Sequence, residues 1–203
     1  RSKAGQTAQD VLGYGGEIPI VAHTNDALKY DPDTMVIGIA PIGGKVNPAW
    51  LPEIKLALEA DIAVWAGLHQ FLGDFEELQP FRQLIWDTRR PPHGLKVSQG
   101  HWKKRKSKVL LTIGSDSNVG KMTTALTLQQ HLTAIGLNSV FVGTGQTGIM
   151  ISGRGVAVDA VISDFINGSI EAEIDRVDGL APLIIVEGQG AITHSGYSGV
   201  TLG

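Results

Sequence analysis

Cysteine is absent from the 203-residue chain, which excludes disulfides and thiolate metal sites and by itself fixes no compartment. No apolar run reaches the roughly 18 residues of a membrane helix and no leader pattern is read, so a cytoplasmic protein without membrane association is the expectation. An excess of one charge is also lacking. Seventeen Lys and Arg stand against 20 Asp and Glu, and the net charge of −3 gives no general drive toward nucleic acid or membrane surfaces. The basic run Lys103-Lys104-Arg105-Lys106 has no aromatic-interleaved basic face with it and reads as a solvated linker rather than a nucleic-acid site. The first half also lacks G-x-G-x-x-G after a strand. Gly38 and Gly43-Gly44 have the wrong spacing, so the dinucleotide fingerprint of an oxidoreductase is missing.

What remains is a globular composition, 42% hydrophobic and 18% charged, with 26 glycines gathered in loops after apolar runs. That pattern suits an α/β protein whose strand-to-helix turns bind ligands. The stretch around which the chain is organised is Val109–Thr124, VLLTIGSDSNVGKMTT. Val109–Ile113 reads as a buried strand, Gly114–Gly120 as a turn, and Lys121 opens a segment with helical spacing. Strand, glycine turn, lysine and helix is the layout of a phosphate-binding loop. Backbone N–H groups cradle an oxyanion, the helix start adds a partial positive charge, and the lysine adds a full one.

The match to G-x-x-x-x-G-K-[ST] is imperfect. Gly120 and Lys121 are in register, Ser115 holds the first glycine position with Gly114 one step earlier, and Met122 replaces the hydroxyl that ordinarily ligates Mg²⁺. The expected cofactor-binding residues are Gly114, Ser115, Asp116, Ser117, Asn118, Val119, Gly120, Lys121, Met122 and Thr123. If Mg²⁺ is used, Thr123 and Asp116 are the residues left to hold it.

Upstream, strands are expected at 18–22, 34–40, 61–67 and 84–87, with helices at 7–12, 27–29, 51–60 and 74–84. Alternation of that kind predicts a doubly wound, Rossmann-like parallel sheet over residues 1–87. Arg89-Arg90-Pro91-Pro92 stops regular structure, so 88–107 reads as a linker and 108–203 as a P-loop NTPase-like domain. In that domain a strand at 139–143 leads into Gly145, Gln146, Thr147 and Gly148, a second glycine-hydroxyl turn, and a helix is expected at 170–177. Leu183–Val186 is an apolar strand ending in Glu187, a carboxylate at the ligand-binding edge of the sheet. With three clear strands in this domain and no obvious first strand at the start, the expectation is a fragment truncated at both ends.

The segments GSDSNVGKMTTAL, GTGQTGIM, IIVEGQG and HSGYSGVTLG, preceded by VIGIAPIGGK, GLHQFL and IWDTRRPP, resemble a bacterial and archaeal family of Rossmann-like N-terminal and P-loop C-terminal domains. That family was long a domain of unknown function, loosely labelled NAD-dependent epimerase/dehydratase, and some members are called D-glutamate N-acetyltransferases. The loop is also similar to that of dethiobiotin synthetase, through Gly114, Asp116, Val119, Gly120 and Lys121. The first resemblance implies acetyl transfer from acetyl-CoA to an acidic amino acid such as D-glutamate; for the base and oxyanion donors that reaction needs, the candidates are Glu187 or His194 and N–H groups near Gly145–Gly148. The second implies an ATP–Mg²⁺-dependent ligase or kinase. A non-catalytic nucleotide sensor is the third reading. A homo-oligomer with a small-molecule substrate is expected in the enzymatic cases.

Overall fold

In the computed structural model, which describes residues 3–39, 41 and 44–193, three parallel strands form the sheet of each half. The chain divides after Asp87 into two compact units.

The first unit opens with α1 (Ala8–Leu12), whose start is closed by Thr7 and Asp10 in a reciprocal capping box. The strand expected at 18–22 does not form. Ile18 is exposed, Pro19 has no N–H to give a ladder, and the segment makes one antiparallel bridge, Thr7 to Pro19. After α2 (Thr24–Ala27) comes β1 (Thr34–Ile37), then α3 (Leu51–Glu59), β2 (Ala63–Ala66) and β3 (Ile85–Asp87). The sheet order is β1-β2-β3, all parallel, with Trp65 opposite Trp86 and their rings in an edge-to-face contact at 4.9 Å. Helix α3 buries Ile54, Ala57 and Leu58, an i, i+3, i+4 stripe that packs on Val64 and Ile85. The helix expected at 74–84 is instead 3₁₀ backbone over Glu76–Leu84, kinked at Phe81 beside Pro80, which cannot donate to an α-helical ladder.

The second unit contains β4 (Lys108–Leu111), α4 (Lys121–Ala134), β5 (Ser139–Val142), α5 (Gln146–Ser152), α6 (Ile166–Val177) and β6 (Leu183–Val186). Its sheet runs β4-β6-β5, again all parallel, so the last strand in sequence is central. Alternation along β6 gives each face its own core. Ile184 and Val186 pack with Val142, Ile174 and Val177 on the α6 side, while Ile185 packs with Phe141 and Ala125 on the α4 side. That is the two-faced burial a parallel sheet requires.

The segment expected as a linker belongs to this unit and lies along α6. The N–H groups of Gln99 and His101 donate to Glu171 at 2.5 and 2.7 Å, the His101 ring pairs with Asp175, and the N–H groups of Lys106 and Ser107 donate to Asp178. These hydrogen bonds hold the Glu171 and Asp178 carboxyls below the usual carboxylate range.

Candidate functional site

Because β4, β5 and β6 are parallel, their carboxyl ends share one edge of the sheet, where ligands bind in open α/β folds. Three segments leave that edge: the loop Gly114–Gly120, the turn Gly143–Gly145, and the run Glu187–Gly190. The loop after β6 is tied back to the first. Ile192 N–H donates to the Gly114 carbonyl at 3.0 Å and Gly188 N–H to Thr112 Oγ1 at 3.1 Å.

The phosphate loop has the backbone its sequence requires. Asn118 and Gly120 lie in the left-handed region, with φ of 58° and 94°, and Gly120 turns the chain directly into α4. No side chain caps the α4 start, so its first N–H groups and the positive end of a 14-residue helix face the loop. Lys121 Nζ donates to the carbonyls of Asp116 and Gly190, at 2.8 and 2.7 Å, and so spans the mouth of the loop. Around these groups lies a cavity of about 340 Å³, walled by Ser117, Asn118 and Gly120 on one side and Glu187–Gly190 on the other. The donors fit a pyrophosphate or other phosphate anion.

Met122 packs inward with the core formed by Ala125, Phe141 and Ile185. Met122 is half-buried and also lines the loop cavity, so the position that ordinarily carries a metal-binding hydroxyl presents a thioether side chain there. Thr123 is exposed and lines the loop cavity, and Asp116 Oδ1 accepts the N–H of Ser117 at 2.7 Å. Ser115, Ser117, Asn118 and Val119 are exposed. Among the described residues, no three His, Asp or Glu side chains gather in a metal-binding cluster.

Glu187 is 4% exposed, and its Oε2 accepts the N–H groups of Thr144 and Gly145 at 2.9 and 3.1 Å. Thr144 Oγ1 returns a hydrogen bond to the Glu187 carbonyl at 2.6 Å. Burial pushes the Glu187 carboxyl above the usual range, against the two N–H groups and the Lys121 charge that pull it down. The segment after Gly145, expected as a turn, is the first turn of α5, with Gly145 at its N-cap and Gly148 in its first turn. A side chain at Gly148 would collide with Glu187 Oε2, so the glycine admits the carboxylate to the helix start. The Gly145 N–H expected to serve an oxyanion is occupied by Glu187. Gln146 Oε1 accepts from Arg89 at 2.8 Å, and Thr147 is exposed. His194 lies outside the described residues.

A second cavity, about 380 Å³, lies on the α6 side and shares the wall Glu187–Gly188–Gln189 with the first. Its surface is largely apolar, from Leu111, Val158, Ile166, Ile170, Ile174 and Val186. Ser98, Trp102 and Arg105 add a polar rim from the segment laid along α6. None of these residues was expected at the site. The i, i+4, i+8 spacing of Ile166, Ile170 and Ile174 signals a buried helix face, but nothing in the sequence of 98–105 signals that it walls a cavity.

In class, the second unit is a P-loop domain and the first a Rossmann-like one. The chain belongs to the DUF1611 family. The domain described as "Domain of unknown function (DUF1611_C) P-loop domain" matches residues 96–203, and "Domain of unknown function (DUF1611_N) Rossmann-like domain" matches 1–91. A relative from Pseudoalteromonas sp named D-glutamate N-acetyltransferase is 40% identical over 187 residues, 88% of this chain and 54% of that protein. A second of the same name, from Tritonibacter scottomollicae, is 42% identical over 174 residues, 83% of this chain and 51% of the relative. The chain thus spans about half the length of these curated relatives. The crystal structure of a DUF1611 family protein from Anabaena variabilis superposes with a TM-score of 0.88 at 37% identity, covering 98% of this chain and 59% of that one.

Proposed function

We propose that this protein is an acyl-CoA-dependent N-acetyltransferase whose acceptor is an acidic amino acid such as D-glutamate. The observation that carries the reading is the pair of cavities divided by Glu187–Gly188–Gln189. One is a phosphate loop suited to a pyrophosphate, and the other, across that wall, has room for a small acceptor. Coenzyme A joins a pyrophosphate to a long, mostly uncharged arm, so its thioester would reach the wall from the loop side. The name shared by two relatives at about 40% identity supports the same chemistry.

Glu187 stands at the boundary and is the base in this reading. Its carboxylate takes a proton from the substrate ammonium, and burial raises its affinity for that proton. The free amine attacks the thioester carbonyl carbon, a C–N bond forms, the C–S bond breaks, and the thiolate leaves and takes up the proton that the new amide nitrogen sheds. Lys121 and the α4 start hold the phosphates, and no phosphoanhydride is cleaved. Met122 in place of a hydroxyl residue is compatible with this reading, because no metal hydroxyl is needed at that position.

An ATP–Mg²⁺-dependent ligase or kinase is the second reading, favoured by one observation: the exposed Thr123 lines the loop cavity and offers a hydroxyl there. Thermal shift of the full-length protein with acetyl-CoA, ATP–Mg²⁺ and NAD separates the ligands. Mass-spectrometric detection of N-acetyl-D-glutamate then tests the reaction. Stabilisation by acetyl-CoA with acetylated product is expected. Stabilisation by ATP–Mg²⁺ alone, without acetylated product, would overturn the transferase reading.

A further inference from the structure

Arg105 is the one cation among the described residues that line the apolar cavity. Its side chain is only 13% exposed. It lies beside Asp175, but loosely: Nε and Nη2 are each 3.5 Å from Asp175 Oδ1, and Nε is buried with no hydrogen-bond partner. Asp175 is shared, since its Oδ2 meets the His101 ring at 2.7 Å. A guanidinium carries five N–H donors in a planar fork matched to a carboxylate, and most of these are uncommitted. The other acid on this wall does not compete for it. Glu171 takes the N–H groups of Gln99 and His101, which turn its charge toward the backbone of the overlying segment. Glu187 lines the same cavity. One cavity thus presents a largely buried, under-used guanidinium and a buried carboxylate in an otherwise largely apolar lining. That arrangement complements a short chain with a carboxylate at one end and an ammonium at the other.

We infer that Arg105 binds the side-chain carboxylate of the acidic acceptor while the acceptor ammonium lies at Glu187, so that Arg105 sets the preference for an acidic over a neutral amino acid. The inference rests on the transferase reading and deepens it. A site that hydrogen-bonds one substrate group discriminates against the analogue that lacks it, because the buried donor is then left unpaired.

The test uses the full-length protein with D-glutamate and D-glutamine as paired acceptors. Arg105→Met should lower kcat/KM for D-glutamate by about thirtyfold or more while changing D-glutamine little, so the ratio between them collapses. The KM for acetyl-CoA should stay unchanged, and Arg105→Lys should restore part of the ratio. Asp175→Asn removes the ion-pair partner and should leave the ratio intact, which separates recognition from packing. An unchanged ratio in Arg105→Met, an equal fall for both acceptors, or a raised KM for acetyl-CoA would each overturn the assignment. Calorimetric titration with glutarate supplies an arm independent of turnover. Binding by the unmodified protein and its loss in Arg105→Met is expected. If the unmodified protein forms no acetylated product, the transferase reading fails, and retained glutarate binding in Arg105→Met would overturn the Arg105 assignment by itself.

Discussion

Asp87 and Glu187 are built alike and differ in what surrounds them. Each stands at the carboxyl end of an apolar strand, and each accepts two consecutive backbone N–H groups. Asp87 takes Leu72 and Gly73 at 2.8 and 3.0 Å, and Glu187 takes Thr144 and Gly145 at 2.9 and 3.1 Å. Both are buried, at 6% and 4% exposure. Glu187 borders two cavities, one with the phosphate loop and one with the apolar wall, and its strand lies beside a strand that ends in a glycine loop and a lysine. Asp87 organises the 3₁₀ turn Leu72–Asp74. An acid after an apolar run is thus a device for gathering backbone donors, and the proposed role of Glu187 rests on the space that neighbouring loops leave beside it.

The sharpest way to break that contrast is to remove the charge on the ligand side. Lys121→Ala should weaken acetyl-CoA binding by about 2–3 kcal/mol, the cost of truncating one partner of a charge-assisted contact. Asp87→Asn should leave that affinity unchanged. Calorimetric titration of both variants checks the pair, and equal losses would dissolve the distinction.

Next in size is the structural role the two acids share. Glu187→Ala and Asp87→Ala each strand two buried N–H groups and should cost about 1–3 kcal/mol in urea unfolding. Glu187→Gln keeps an acceptor oxygen and should unfold near the unmodified midpoint, yet it should abolish turnover. Turnover in Glu187→Gln close to that of the unmodified protein would remove Glu187 from the chemistry.

The smallest effect is on pH dependence. Because burial raises the Glu187 pKa, the acid limb of the rate should lie above the ordinary carboxylate range, with activity falling as pH drops through it. The same shift carries a stability sign. A carboxyl whose folded pKa is raised stabilises the fold below its unfolded pKa, and that contribution is lost as pH rises through the folded value. Relative to the unmodified protein, Glu187→Gln should therefore gain stability between acidic and neutral pH. Parallel unfolding curves at both pH values would contradict the shift.

The phosphate loop was legible because its signal is local: a strand, Gly120 and Lys121 in fixed register, and a helix. The position of Glu187 at the end of an apolar strand was legible for the same reason. The start of α5 was hidden, because Gly145 and Gly148 read as turn residues while the first accepts the helix cap position and the second makes room for Glu187. The failed strand at 18–22 and the 3₁₀ backbone at Glu76–Leu84 each contain a proline whose missing N–H outweighed the apolar or helical pattern around it. The cavity wall at Ser98, Trp102 and Arg105 had no local signal at all. It exists because Glu171, Asp175 and Asp178 draw the backbone and side chains of the preceding segment onto α6, a pairing across about 70 residues of sequence that no short-range pattern encodes.

The proposed function has the loop hold coenzyme A without a metal hydroxyl, because Met122 offers the loop cavity a thioether in place of that hydroxyl. The direct measurement is acetyl transfer from acetyl-CoA to D-glutamate by the full-length protein in excess chelator and without ATP. Product should form at a rate within about twofold of that in Mg²⁺, since no phosphoryl group needs neutralising. Loss of product in chelator, with ATP turnover that strictly requires Mg²⁺, would contradict the claim and move the protein to the ligase or kinase class.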